Sequence, residues 1–225
     1  MRADDVTLAA ELARIELDRC IANDWEQRAG DLIWSCRRTL DHITDTLLLY
    51  AASVAQSARG GDAWAPIRNG NPGVDIPTLL RNLTAGAAIL EAVCLGAPAG
   101  LRAYHPSGLS DISGFRAMAC SEILTHTNDI LTGFGRDWTR RPAADLCERV
   151  IERVFPWLPA TASMATGGRC CCGHADGSRY PPSLALTTSG GGTPRRSVSG
   201  MGRVRSEPRP RHGLEPRSAM ERRFF

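Results

Sequence analysis

From Cys36 to Ala58 the chain runs without a glycine or proline and is rich in leucine. A segment this long and uninterrupted exceeds any ordinary strand, and its apolar residues recur at helical spacing, so it predicts a helix. Ser35 stands before it as an N-cap candidate. Three more segments share the pattern. Ala3–Arg19 places Val6, Leu8, Ala9, Leu12, Ile15 and Leu17 on an amphipathic face. Asp75-Ile76-Pro77 opens a helix reaching about Leu95, with proline in the first turn where its missing N–H costs nothing. Asp111 caps a helix through Gly133, and a shorter one is expected over Ala143–Phe155 after Arg141-Pro142. Between them lie Asn23–Asp31, anchored by Trp25, and two Gly/Pro-rich stretches, Gly60–Gly73 and Gly96–Gly108, read as loops. No segment before residue 160 alternates like a strand. The expectation is an all-α fold, a four-helix bundle over residues 1–160.

Length permits one domain with a substantial core and an appendage, and charge divides the 225 residues the same way. Residues 1–160 hold 16 arginines against 20 acidic residues, a net of −4, and 161–225 hold 11 against 4, a net of +7, together the +3 of the whole chain. Lysine is absent, which fits a GC-rich genome. The N-terminus is acidic at Asp4 and Asp5 and lacks the basic and apolar regions of a signal peptide. Asp45 and Glu91 interrupt the most apolar runs, so no membrane span is expected. Cys20, Cys36, Cys94, Cys120 and Cys147 are scattered singly through helical segments, as small buried hydrophobes in a reducing compartment would be. A cytoplasmic protein is expected.

After Pro159 glycine, serine, proline and arginine dominate and periodicity vanishes. Composition alone reads residues 161–225 as a disordered basic tail. Cys170, Cys171, Cys172 and His174 resemble a second metal site, but adjacent cysteines lack the spacing that lets two thiolates share one zinc. A third reading is that the tail is translated out of frame. Shifted by one base, the Cys170–Cys172 codons can read as leucines and those of Gly190–Thr193 as a tryptophan- and arginine-containing segment, more like folded protein than what is written. No chemistry is assigned to the tail. Its arginines lack interleaved aromatics, and no specific nucleic-acid partner is expected.

The residues with the clearest chemistry are His42 and the pair Glu122 and His126 in Ser121-Glu-Ile-Leu-Thr-His126. Spaced i, i+4 on a helix, Glu122 and His126 share a face one turn apart. A histidine from a second helix would complete a two-imidazole, one-carboxylate set with one coordination position open, the composition a catalytic zinc ion or another divalent metal takes. By spacing alone, an ordinary Glu–His surface pair and a core or capping His42 remain as alternatives. Asp129, three residues beyond His126, either orients that ligand from behind or pairs with a surface arginine. His105, in Tyr104-His105-Pro106, is a weaker ligand candidate and reads as a surface residue, while His174 and His212 fall in the tail. Asp41 reads as a surface residue, Cys120 as core, and Arg116 as a loose candidate for holding a substrate carboxylate.

Trp25, Leu32-Ile33-Trp34-Ser35, Asp41-His42 and the run Arg116-Ala-Met-Ala-Cys-Ser-Glu122-Ile-Leu-Thr-His126-Thr-Asn-Asp129-Ile130 carry a resemblance. Together they resemble the mycothiol-dependent maleylpyruvate isomerase family, within the wider DinB-like group of four-helix metal-binding proteins. The similarity runs from about residue 5 to Val154-Phe-Pro-Trp-Leu158. It implies a DinB-like bundle in which His42, Glu122 and His126 bind zinc and mycothiol is the thiol cosubstrate. Asn128 stands where that family often carries an aromatic residue, and the written tail does not match the tryptophan- and arginine-containing segment that covers the family's site.

A thiol bound to such a metal is deprotonated at neutral pH. Its addition to an activated double bond, rotation and elimination would isomerise a small electrophile. Addition or displacement without elimination would make a thiol S-transferase, and the residues do not choose between them. Two rivals belong to other classes: a hydrolase using zinc-activated water, and a non-enzymatic stress-response protein with a vestigial site.

Overall fold

A computed structural model describes residues 1–60, 73–105 and 108–157. Five helices pack together: α1 (Asp5–Asp18), α2 (Cys36–Ala55), α3 (Ile76–Gly96), α4 (Ile112–Gly133) and α5 (Ala144–Val154). The three longest begin at the caps their sequences announce. Ser35 Oγ accepts from the Arg38 N–H at 3.1 Å, Asp75 Oδ1 from Thr78 at 2.8 Å and Asp111 Oδ1 from Gly114 at 2.7 Å. Each cap satisfies one of the donors that a helix start leaves without an intrahelical partner.

Helix α2 stops three residues earlier than its composition predicts. Ser57 adopts a left-handed φ of 51°, and the Ala58 N–H turns back to the Ser53 carbonyl at 3.0 Å. This is the closure that usually calls for glycine. The Ala58 carbonyl, freed from the helix, accepts the Tyr104 N–H at 2.8 Å and so anchors the segment after α3.

That segment is not the loop expected over Gly96–Gly108. Strand β1 (Arg102–His105) pairs antiparallel with β2 (Gly108–Asp111), Ala103 opposite Ser110 and His105 opposite Gly108. Ala103 and His105 face inward and are buried, whereas Arg102 is exposed. Four polar-rich residues per strand give too short an alternation to register as a pattern.

Helices α1 and α2 each pack against both α3 and α4, so the four touch in the order α1–α3–α2–α4, closing back on α1, while α5 lies on α4. The core between them includes Leu17, Leu40, Ile43, Leu47, Leu83, Leu90, Phe115, Ile123 and Leu124, all fully buried. At about 1.5–3 kcal/mol per buried large side chain, these dominate what favours the fold. By length and composition α3 could cross a membrane, but Leu79, Leu80, Leu83, Ala87 and Leu90 are spent on the core. Glu91, expected to interrupt that run, also turns inward and pairs with Arg116 of α4 at 2.8 Å.

Two buried carboxylates fasten the periphery. Glu16 accepts the backbone N–H groups of Thr139 and Arg140 at 2.9 and 2.8 Å, and Asp5 takes two bonds from Arg149 of α5. The five cysteines between Cys20 and Cys147 are free and buried, as their scattering implied. The boundary near residue 160, the tail, Cys170–Cys172, His174 and His212 lie outside the described residues.

Candidate metal centre

Helix α2 carries His42 two turns in, and α4 carries Glu122 and His126 one turn apart on the face it turns to α2. One ligand atom from each residue lies within 4.8 Å of the other two. Among the described residues this is the one such cluster of three. Glu122 Oε2 is the hub, 3.4 Å from His42 Nε2 and 3.3 Å from His126 Nε2.

These separations carry chemical information. Glu122 Oε2 is buried yet has no hydrogen bond, although two imidazole nitrogens stand close to it. The three ligand atoms all lie within 4.8 Å of one another. In a tetrahedron the ligand–ligand edge is about 1.63 times the metal–ligand distance, so bonds of about 2.0–2.1 Å give edges of about 3.3–3.4 Å. The two edges that meet at Glu122 fit, and the third lies within 4.8 Å. The donor set and the orphaned oxygen can therefore hold a divalent ion.

Asp129 completes the arrangement from behind. Its Oδ2 lies 3.0 Å from His126 Nδ1, so with an ion bound it would hold the proton on that nitrogen and leave Nε2 to the cluster. Of the two roles its spacing allowed, the structure shows the contact with His126. Exposure is graded across the site: the His126 side chain is 2% exposed, Glu122 16% and His42 25%, so the open side lies toward His42.

Electrostatics follow from this packing. Burial alone would push the Glu122 carboxyl up, but His126 and His42 beside it hold it well below the usual carboxylate range. Burial disfavours the His126 imidazolium, yet Asp129 and Glu122 outweigh it and raise the group to about 9. With no metal bound, a proton on His126 takes part of the cation's place.

Other residues fall differently from their sequence reading. His105 is no surface residue: it is buried on β1, with Nε2 3.2 Å from the Tyr50 hydroxyl and its ring against Phe115. It stands outside the three-ligand cluster. Burial holds the His105 imidazolium below its ordinary range. Arg116 is committed to Glu91 inside the core, which removes it as a carboxylate holder. Asp41 is half-buried and 3.6 Å from Arg38, not a plain surface group. Cys120 is core, and burial drives its thiol far up. Asn128 accepts the Trp138 indole N–H at 3.1 Å, tying α4 to the segment after it.

Sequence reasoning gave no role to Trp34, whose indole lies 4.9 Å from the His42 ring. The signal available was its place just ahead of the α2 cap, with Arg38 and His42 following at four-residue steps.

Compared with protein-family models, curated proteins and solved structures, the chain matches none.

Proposed function

We propose that this chain is a zinc protein with a DinB-like four-helix bundle, related in chemistry to the mycothiol-dependent isomerases and thiol S-transferases. The observation that carries the reading is the His42–Glu122–His126 cluster, with edges of 3.3 and 3.4 Å meeting at a carboxylate oxygen that has no hydrogen bond. The closed packing order of α1–α4 supports the bundle, and the quoted motifs round His42 and Glu122 support the kinship.

A zinc ion there would supply Lewis acidity at a fourth position and would favour the deprotonated form of a thiol such as mycothiol. The chain's own residues prepare this. Glu122 contributes the one formal negative charge among the ligands. Asp129 would keep a metal-bound His126 in the tautomer that offers Nε2, and the more open side at His42 is where a thiol and a small electrophile would approach.

The test is zinc content of the purified full-length chain, followed by maleylpyruvate consumption with and without mycothiol. One equivalent of zinc and turnover only with the thiol are expected. Turnover without thiol would move the chemistry to zinc-activated water. His126→Ala should lose the metal and keep most helicity by circular dichroism; full zinc retention in that variant would remove the site.

A further inference from the structure

The two histidines of the metal centre are held in different ways. A ligating imidazole usually donates its second N–H to an acceptor that fixes the ring. For His126 this is Asp129 at 3.0 Å. His42 Nε2 faces Glu122, and among the described residues none receives a hydrogen bond from the other nitrogen of His42. A histidine χ2 torsion is broad, so an imidazole without that bond swings unless something packs against it. Two rings flank His42: His126 at 5.1 Å and 77°, and Trp34 at 4.9 Å and 53°.

Trp34 is itself fixed. Its carbonyl accepts the Ala29 N–H at 3.0 Å, and the next residue, Ser35, caps α2. The Arg38 guanidinium lies 5.3 Å from the indole centroid, with Nη1 3.6 Å from both Asp41 Oδ2 and Asp45 Oδ2. A hydrophobic residue just ahead of an N-cap commonly staples to the fourth helical residue. Here that residue is Thr39, so the staple lacks its apolar partner, and the half-buried indole lies against His42. From these contacts, and resting on the metal-centre reading above, we propose that Trp34 is the positioning residue for His42, replacing by ring packing the hydrogen bond that His126 receives from Asp129.

Co2+ is the probe, because its visible spectrum reports coordination geometry. The full-length chain is titrated with Co2+ as wild type, Trp34→Ala and Trp34→Phe, with the metal-free fold of each checked by circular dichroism. Trp34→Ala should bind about 10–100-fold more weakly, the usual range for losing a ligand's support, and its absorption bands should change. Trp34→Phe, which keeps a flat ring on His42, should restore both affinity and spectrum. If Trp34→Ala fails to fold, Trp34→Leu, which fills volume without a flat face, is read in its place with the same expectation. Unchanged affinity and spectrum in the folded Ala or Leu variant would overturn the proposal, as would a Phe variant no better than they are. A wild-type chain that binds no Co2+ would instead bring down the metal centre itself, and this inference with it.

Discussion

Glu122 Oε2 is a buried carboxylate oxygen with two imidazole nitrogens within 3.4 Å and no hydrogen bond to either, an arrangement that leaves it available to a cation. The i, i+4 spacing of Glu122 and His126 made their shared face legible from sequence. Spacing alone did not say that α2 would bring His42 to that face, because the meeting depends on how two distant segments pack; only the resemblance of the surrounding motifs implied it. Asp129 was legible only as a choice between two roles, since the spacing that reaches His126 also permits a surface partner. Its contact now yields a prediction. Asp129→Asn removes the negative charge behind His126 while leaving an oxygen that can accept the same bond. Zinc affinity, measured by competition with a chromophoric chelator, should fall by about 10–100-fold. The far-ultraviolet spectrum should not change. An unaltered affinity would show that Asp129 only decorates the helix.

At the scale of elements, the starts of α2, α3 and α4 were readable because Ser35, Asp75 and Asp111 act within three residues of themselves. The end of α2 and the short strands were not. Helix α2 ends on a left-handed serine where sequence offers no glycine, and the β1–β2 hairpin depends on Ala58 and the core to accept residues with little strand character of their own. The end of α4 falls at Gly133 as read, and close packing surrounds it there. A Cβ on Gly133 would lie 2.4 Å from the Arg28 carbonyl oxygen and 3.0 Å from both Ala29 Cα and Cys36 Sγ. Two of those three neighbours are backbone atoms, so relief requires moving α4 away from the segment leading into α2. Gly133→Ala should therefore lower stability by about 1–3 kcal/mol, the usual range for overpacking, in urea unfolding. Zinc stoichiometry should persist, because the ligands sit two or more turns away. A loss below about 0.5 kcal/mol, ordinary for a surface change, would mean the approach is looser than drawn.

For the whole molecule, the helices were legible because their segments are long and periodic, whereas periodicity gave neither the small β1–β2 hairpin nor the way α2 and α4 meet across the core. A metal held by His42, Glu122 and His126 would cross-link those two helices, so binding and folding are one equilibrium. At free zinc a hundredfold above the dissociation constant the folded state should gain about 2.7 kcal/mol. For a chain of this size that corresponds to a melting temperature roughly 5–10 °C higher than with a chelator. The increment should depend on pH through His126. In the metal-free fold this group is raised to about 9 from an ordinary 6.5, so its proton stabilises the fold fully below pH 6.5, and that contribution is lost as pH rises through about 9. Zinc must displace the same proton. The zinc-induced rise in melting temperature should therefore be smallest near pH 6.5 and grow toward pH 9, while the metal-free contribution from His126 declines over the same interval. Calorimetry in buffers of different ionisation enthalpy should show proton release on zinc binding at pH 7. A zinc increment that is flat across this range, with no proton released, would mean that the ion does not bind at His126.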